Sequence, residues 1–270
     1  MGAIEKHYDE KSAKYDNVRQ SLVFRIYDAI TWKYLEPLVP TDPNSLVLDA
    51  GGGTGVWTVP MAKKGCRVVL LDISEKMLEI ARERIAREGL QDRVDVRKAD
   101  MRKLDYPDET FDFILCEHVL FLFEKPSRVV AELARILKRG ARMMLSAQNR
   151  LVQTLAHLPD DPTENPDILS LATRILSRQE YDMLSKDRSI KIFSVTPTEL
   201  RSLLENNGLH VERVFCKIAS TPLRFSQKFF MGTDVPEELE SDILQLELAF
   251  SEQPGAASLG AHLQAIARKK

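Results

Sequence analysis

Residues 46–57 read LVLDAGGGTGVW, an apolar run that ends in an acid and is followed at once by a cluster of glycines. The apolar part predicts a buried β-strand over Leu46–Asp49, and the residues after the cluster predict a helix. Glycine loses more conformational freedom on folding than any other residue, so such a cluster needs a structural reason. A strand, a glycine loop and a helix in succession favour a backbone that lies directly against a ligand.

Beyond this loop the chain alternates between apolar runs of strand length and segments with helical periodicity. Six further strands are predicted at CRVVLLDIS (66–74), RVDVRKAD (93–100), FDFILCEH (111–118), RMMLSAQN (142–149), HVERVFCKIAS (210–220) and GAHLQAIARK (260–269). Ser74 can cap one of the intervening helices, and Thr196 with Glu199 predicts a capping box at the start of another. Apolar strands that alternate with helices indicate an α/β fold of the doubly wound type, with helices on both faces of a parallel sheet.

The remaining segments predict one domain with helical additions. Residues 1–43 form an N-terminal helical cap that ends at a group of prolines, and residues 44–149 form the core of strands and helices. We expect a helical insertion at 150–195. The C-terminal part of the sheet, 196–270, contains a second predicted helical insertion at about 217–256.

Composition and charge limit which partners and which cellular location fit the protein. The chain has 270 residues, with 38 Lys and Arg against 40 Asp and Glu, and this balance argues against nucleic acid, which needs a basic surface. No apolar run reaches the length of a membrane span, and the polar start does not fit a secretory signal. Cys66, Cys116 and Cys216 are few and far apart, which is typical of reduced thiols. We expect a cytoplasmic protein without disulfides or a metal site.

The spacing of the glycines separates two classes of nucleotide-binding loop. Gly51, Gly53 and Gly55 form GxGxG, whereas the dinucleotide fingerprint GxGxxG would place its last glycine at Val56. Asp72 ends the second strand 19 residues after Gly53. A carboxylate there can accept two hydrogen bonds from a ribose diol, so the pattern predicts a nucleoside ligand that is not a nicotinamide dinucleotide.

With this spacing, Asp49–Gly55 resembles motif I, [DE]xGxGxG, of the class I S-adenosylmethionine-dependent methyltransferases. Ala99-Asp100-Met101, Phe111–Leu115 and the seven-strand succession match the same family. The N-terminal pattern Tyr8-Asp9…Ala13…Tyr15-Asp16…Arg19 resembles the helix before the fold in its ubiquinone/menaquinone-methylase-like (type 11) group. The resemblance implies a seven-stranded Rossmann-like sheet with an antiparallel last strand. It also implies the cofactor S-adenosyl-L-methionine and the product S-adenosyl-L-homocysteine.

The resemblance further implies a contact between the cofactor and a set of residues along the ends of the first four strands. The set comprises Tyr15, Asp49, Gly51, Gly53, Gly55, Asp72, Ile73, Asp100, Met101, Cys116 and Glu117. The resemblance implies that the glycines pass against the methionyl part, and that Asp49 orders their loop and its contact with the ammonium group. Asp72 holds the ribose, Ile73 packs on adenine and Asp100 accepts from the adenine amino group, with Met101 beside it. Cys116 and Glu117 lie where the methionyl end meets the acceptor, and Tyr15 covers the cofactor.

For several of these residues a purely structural role is an alternative to contact with the cofactor. Asp72 can cap the following helix, although Ser74 is better placed to do so. Asp100 can be a solvated turn residue. Tyr15 stands at helical spacing from Val18, so a role in the core is an alternative for it.

A sulfonium methyl group is already activated, so an enzyme mainly has to align a nucleophile behind it and exclude water. We therefore expect in-line transfer of the methyl group to oxygen, nitrogen or carbon of a small organic acceptor. A hydroxyl acceptor needs a base, and His118 is the candidate because it directly follows the fourth strand and its ordinary pKa is about 6.5. A core or surface histidine is the alternative.

Other functions are compatible with parts of the same pattern. One is aminopropyl transfer from a related cofactor, which needs an acidic polyamine pocket. Another is a non-catalytic S-adenosylmethionine-binding regulatory or partner protein, which would keep the loop and Asp72. An oxidoreductase fits the glycine spacing less well. Both a monomer and a homodimer are compatible with the sequence.

Overall fold

Strands and helices alternate along the chain much as the apolar runs predict. The computed structural model describes residues 2–156, 168–178, 180–182, 190–219, 231–253 and 255–270. Its α-helices are α1 (Ala3–Val18), α2 (Leu22–Leu35), α3 (Thr58–Lys63), α4 (Glu75–Arg87), α5 (Pro126–Ile136), α6 (Arg150–Ala156), α7 (Ile168–Arg178), α8 (Pro197–Glu205) and α9 (Glu237–Ser251). Its strands are β1 (Leu46–Ala50), β2 (Arg67–Asp72), β3 (Val94–Lys98), β4 (Phe111–Cys116), β5 (Leu137–Asn149), β6 (Glu180–Asp182), β7 (Lys191–Val195), β8 (Leu209–Lys217) and β9 (His262–Lys269).

The sheet contains all seven predicted strands in a mostly parallel arrangement. β3, β2, β1, β4 and β5 lie side by side, and each pairs in parallel with its neighbour. β9 pairs antiparallel with β5 on its other side, and β8 pairs antiparallel with β9. The doubly wound, Rossmann-like sheet with an antiparallel last strand is thereby confirmed.

The segment between β5 and α8 holds more than the helices that we expected there. α6 and α7 are helical, but β7 pairs in parallel with the last two residues of β5, and β6 pairs antiparallel with β7. Part of this insertion, at 157–167, 179 and 183–189, lies outside the described residues, as does 220–230 in the second insertion. The described part of the second insertion contains α9.

Apolar faces of the helices bury both sides of the sheet. α2 places Leu22, Ile26 and Ile30 against one face, and each is fully buried. α5 places Val129, Val130, Leu133 and Ile136 against the other face. Each buried side chain of this kind contributes roughly 1.5–3 kcal/mol relative to an exposed one, so the two layers hold the strands in register.

Local end signals set where the helices begin. The Ser74 side chain accepts a hydrogen bond from the backbone N–H of Met77, and Thr196 and Glu199 form the predicted capping box of α8. The N-terminal helical cap divides into α1 and α2, because the chain turns at Ser21, whose ψ is 150°. This turn lets α1 cross the carboxyl edge of the sheet while α2 packs on one face.

The carboxyl ends of β1, β2 and β4 meet where the strand order reverses. The chain runs outward from β1 through β2 to β3 on one side, and through β4 to β5 on the other. A crevice forms at such a point in open parallel sheets and is the usual place for a ligand. The glycine loop lies at this position, directly after β1.

Candidate functional site

The glycine loop folds into a tight bend whose glycines serve different purposes. Gly51 has φ +77°, and a Cβ there would lie 2.5 Å from Cγ2 of Val119, in the segment after β4. A Cβ at Gly52 would lie 2.8 Å from Cγ of Asp49 and 2.8 Å from Cγ of Leu70. Both distances are too short for a carbon contact. Neighbouring protein atoms, and not a ligand, therefore exclude side chains at these two positions.

Gly53 is the glycine whose side-chain position faces open space. Its φ is +54°, and a Cβ built there would meet no atom within 4 Å. Gly53 lines a cavity of about 690 Å³, part of which is open to solvent. The backbone at Gly53 is thus free to lie against a ligand, as the glycine pattern predicts.

Asp49 stabilises the loop from inside the protein. Its Oδ2 accepts a hydrogen bond of 2.6 Å from Oγ1 of Thr58, at the start of α3. The carboxyl group is buried, and burial raises its pKa to about 7. Asp49 does not line the cavity, so its predicted part in ordering the loop agrees with this position, and a direct contact with a ligand does not.

Asp72 lies at the end of β2 and joins the cavity wall to the glycine loop. Its Oδ2 accepts from the backbone N–H of Gly53 at 3.0 Å, and its Oδ1 accepts from that of Ser74 at 2.9 Å. Burial raises the pKa of the carboxyl group. Each oxygen has a second lone pair, so two further acceptors remain for a diol that enters the cavity.

The predicted adenine-side residues line the same cavity. Ile73, Asp100 and Met101 all contribute to its wall. Nε of Arg102 donates to both carboxylate oxygens of Asp100, each at 2.9 Å, and these hydrogen bonds lower the pKa of Asp100. Asp100 is therefore a partly exposed acceptor beside Arg102, and both interpretations of it, adenine contact and turn residue, fit this geometry.

Glu117 forms the far wall of the cavity, beyond β4. The preceding residue, Cys116, is fully buried in the core and does not reach the cavity. Glu117 Oε1 accepts a hydrogen bond of 2.7 Å from Nζ of Lys217 and another from the hydroxyl of Tyr27. Burial raises the pKa of Glu117, but the Lys217 cation and these hydrogen bonds outweigh burial and lower it. The second oxygen, Oε2, is buried and has no hydrogen-bond partner among the described residues.

His118 occupies the boundary between this cavity and a second one. Its backbone is in the left-handed region, with φ +59°, and its N–H donates to Oγ of Ser146 at 2.7 Å. The ring centroid lies 4.9 Å from that of Phe121 and 5.7 Å from that of Tyr27. Burial lowers the pKa of His118 to about 4, so the imidazole is neutral near pH 7.

The second cavity lies between α1 and the ends of β4, β5 and β7, and holds about 1240 Å³, including open solvent. Most of its walls are aromatic or aliphatic, with a cationic side at α1. Its lining is His7, Tyr8, Glu10, Lys11, Lys14, Tyr15, Val18, Arg19, Phe24, His118, Phe121, Gln148 and Ile192. Tyr8, Tyr15 and His118 line both cavities. The two spaces are therefore neighbours, and these three side chains form the boundary between them.

Polar residues of α1 fasten this helix across the cavity. Asp9 Oδ1 accepts from the Ser74 hydroxyl at 2.5 Å, and Asp16 Oδ1 accepts from the Thr54 hydroxyl at 2.8 Å. Asp16 Oδ2 also forms an ion pair with Arg84 on α4. The tyrosines that precede these acids, at positions 8 and 15, line the cavity. The N-terminal sequence pattern thus alternates cavity-lining rings with anchoring carboxylates.

Sequence reasoning missed Lys217, Tyr27 and Gln148 as residues of this region. Gln148 and Tyr27 sit in ordinary amphipathic patterns and carry no distinguishing signal. Lys217 interrupts the apolar end of β8. A charge in such a position is a signal from which a buried partner could have been predicted. Gly55 lies outside the cavity wall, although its φ of +78° explains why it is glycine.

Two features, a metal-binding group and a membrane-spanning helix, are not found among the described residues. No group of three or more His, Cys, Asp or Glu side chains in this part of the chain could hold a metal ion. No helix in it is long and apolar enough to cross a membrane.

Comparisons with known proteins agree with this geometry. Residues 48–145 match the model of a family described as methyltransferase domain. The ubiquinone/menaquinone biosynthesis C-methyltransferase of Hydrogenovibrio crunogenus is 33% identical over 55% of this chain and 59% of its own length. The phosphatidylethanolamine N-methyltransferase of Cereibacter sphaeroides is 36% identical over 37% of this chain and 48% of its own. The chain thus spans about half the length of these relatives.

Solved structures show the same fold at low sequence identity. An S-adenosylmethionine-dependent methyltransferase from Mesorhizobium loti is 20% identical, with a TM-score of 0.60 over 88% of this chain and 97% of its own. A [4+2]-cyclase, SpnF, is 17% identical, with a TM-score of 0.63 over 98% and 94%. Over residues 48–145 the chain thus matches a methyltransferase domain, and its fold is that of solved S-adenosylmethionine-dependent methyltransferases. The ubiquinone/menaquinone C-methyltransferases are among its relatives, and the cofactor of S-adenosylmethionine-dependent methyltransferases is S-adenosylmethionine.

Proposed function

We propose that this protein transfers the methyl group of S-adenosylmethionine to a small organic acceptor that binds in the second cavity. The observation that carries the proposal is the pair of adjoining cavities. One has the acids and the bare backbone that suit an amino-acid-bearing nucleoside. The other has the apolar walls that suit an acceptor, and it begins where the first one ends.

The residues of the first cavity fit the parts of the cofactor one by one. Asp72 offers two free acceptor positions to the ribose hydroxyls. Asp100, Met101 and Ile73 form the adenine side of the wall. The space at Gly53 accommodates the chain that joins the ribose to the amino acid. The unpartnered Oε2 of Glu117 is an acceptor for the ammonium group.

The bound cofactor supplies an electrophilic methyl carbon on a sulfonium centre. The protein's part is to hold the acceptor in line with that carbon and to exclude water, since alignment of this kind can supply on the order of 7–11 kcal/mol. Tyr8, Tyr15 and Phe121 provide aromatic surfaces for an apolar, flat acceptor. The methylated atom can be oxygen, nitrogen or carbon. Which one it is depends on the acceptor group that these walls place at the boundary between the two cavities.

His118 stands at the boundary as a neutral hydrogen-bond acceptor. An imidazolium there would repel the positive sulfonium, so the lowered pKa favours binding of the cofactor. The same lowering makes His118 a weak base, which suits an acceptor that needs only modest help in losing a proton. We propose this positioning and proton-accepting part for His118, because no other described histidine lines both cavities.

Replacement of His118 by alanine should lower turnover about tenfold, in keeping with the modest contribution of a base whose pKa lies well below the working pH. Affinity for S-adenosylhomocysteine should stay within a factor of about three, since the cofactor contacts come from other residues. Steady-state kinetics and calorimetry measure the two quantities. Because the group must be neutral to act, activity should be lost as pH falls through about 4, and not near 6.5. Unchanged turnover, or an acid limb near 6.5 that the substitution removes, would count against this assignment.

The central test of the function uses donor labelled in the methyl group. The protein is incubated with it and a metabolite extract, and the labelled product is identified by mass spectrometry. Asp72→Ala protein in the same extract is the control for label transferred by other means. Saturable binding of S-adenosylhomocysteine without any labelled product would contradict the catalytic part of the proposal. Absence of binding would contradict all of it.

Two further points are proposals of the same kind. We expect a cytoplasmic location, because Cys66, Cys116 and Cys216 are all free and buried, so none is used to cross-link the fold. The oligomeric state, a monomer or a homodimer, is likewise a proposal.

A further inference from the structure

Lys217 is a fully buried cation at the end of β8, far from the glycine loop in sequence. Its Nζ donates to Oε1 of Glu117 at 2.7 Å and to Oγ1 of Thr31 at 2.9 Å, and it lies 3.7 Å from the centroid of the Tyr27 ring. The Lys217 side chain is 0% exposed and that of Glu117 is 2% exposed. Residues from β8, from α2 and from just after β4 therefore meet around one ion pair. This pair lies beside the first cavity, the one lined by Gly53, Asp72 and Glu117, which we call the cofactor cavity.

A buried ion pair of this kind is a poor device for stability alone. Removing two charges from water is expensive, and apolar side chains of similar volume often stabilise a core as well or better. The geometry of this pair is also asymmetric. Lys217 and Tyr27 both bind Oε1 of Glu117, whereas Oε2 is left buried and without a partner in the described part of the chain. Oε1 is therefore held by two donors, while Oε2 remains available as an acceptor.

We propose that Lys217 is a positioning residue that holds Glu117 ionised and oriented so that Oε2 binds the ammonium group of the cofactor. This inference rests on the proposed function. Lys217 itself does not line the cofactor cavity, so it acts through Glu117. Tyr27 and Thr31, both on α2, complete the support, which connects the N-terminal helices to the recognition of the cofactor's amino-acid end.

Without Lys217 the carboxyl group of Glu117 loses its counter-ion and stays buried. A buried acid without a counter-ion takes up a proton, because burial disfavours the charged form. A neutral carboxyl group is a weaker acceptor for an ammonium group than a carboxylate is. The loss should therefore be confined to ligands that carry the ammonium group.

The test compares two nucleosides by calorimetry. S-adenosylhomocysteine carries the amino-acid tail, and 5′-methylthioadenosine has the same adenine, ribose and thioether without it. Lys217→Met should weaken binding of S-adenosylhomocysteine about tenfold, the usual scale for one charge-assisted hydrogen bond, and change binding of 5′-methylthioadenosine less than about twofold. Glu117→Gln should show the same selective loss.

Because Lys217→Met leaves a buried acid and can fail to fold, the double variant Glu117→Gln/Lys217→Met provides a second measurement. It removes both charges, so it should melt above Lys217→Met and show no larger loss of affinity than either single variant. Arg150→Met is the matched control. It removes another buried cation, paired with Glu199, that lines neither cavity, and it should leave the ratio of the two affinities unchanged.

The outcomes separate this inference from the proposed function. Equal weakening of both nucleosides in Lys217→Met, or in the double variant, would mean a purely structural role and would overturn the inference. Unchanged affinity for both would overturn it as well. If the unaltered protein binds neither nucleoside, that result contradicts the proposed function itself, and with it the inference. A selective loss for S-adenosylhomocysteine, seen at Lys217 and at Glu117 but not at Arg150, is the expected result.

Discussion

Asp72→Ala should weaken binding of S-adenosylhomocysteine a hundredfold or more, because two charge-assisted hydrogen bonds to the ribose are lost together. Each such bond contributes about 1.5–3 kcal/mol, and every 1.4 kcal/mol is tenfold in affinity. Calorimetry of the purified variant measures the effect. Asp95→Ala is the matched control, because Asp95 is an exposed acid on the neighbouring strand β3 and lies outside the cofactor cavity.

A loss at Asp72 has two possible causes, since the same carboxylate also accepts from the backbone N–H groups of Gly53 and Ser74. The 2′-deoxy analogue of S-adenosylhomocysteine separates them. The unaltered protein should bind the analogue at least tenfold more weakly than the parent compound, because one hydroxyl contact is missing. Asp72→Ala should bind both ligands equally. If the variant still discriminates between them, Asp72 orders the loop but does not hold the ribose.

Gly53→Ala should reduce affinity for S-adenosylhomocysteine roughly ten- to hundredfold, because the added methyl group projects into the space that the ligand needs. The protein itself offers no obstacle, since a Cβ at Gly53 meets no atom within 4 Å. The conformational cost is that of a left-handed alanine, on the order of 1–2 kcal/mol of unfolding free energy.

Gly89→Ala is a closely matched control for this change. Gly89 follows α4, has φ +68° and likewise has nothing within 4 Å of a Cβ, but it is not part of either cavity. Both variants should therefore lose similar stability in urea titrations, while only Gly53→Ala loses affinity. Equal affinity in the two variants would show that the ligand does not approach the backbone at Gly53.

The glycine cluster shows how a correct motif can have several physical causes. The pattern predicted a bare backbone against a ligand, and only Gly53 has a side-chain position open to the cavity. Val119 and Asp49 exclude side chains at Gly51 and Gly52, and both neighbours are set by packing. One string of glycines therefore combines ligand access with tight internal contacts, which no count of glycines separates.

The candidate site divides in a similar way. Asp72, Ile73, Asp100, Met101 and Glu117 were predicted as neighbours and do line one cavity, because each stands at the carboxyl end of a parallel strand or just after it. Their individual contacts with a cofactor stay predictions. Cys116 and Asp49 belong to the same segments but are buried and do not line the cavity.

The sequence by itself determined the order and type of the strands, the position of the loop and the class of ligand, because apolar periodicity, glycine spacing and end signals are local properties. Tertiary structure alone decided the ion pair of Lys217 with Glu117, the lowered pKa of His118 and the hydrogen bonds of Ser74 and Thr54 that anchor α1. Each of these depends on residues far apart in the chain. Their burial and mutual distance arise only when the helices pack on the finished sheet.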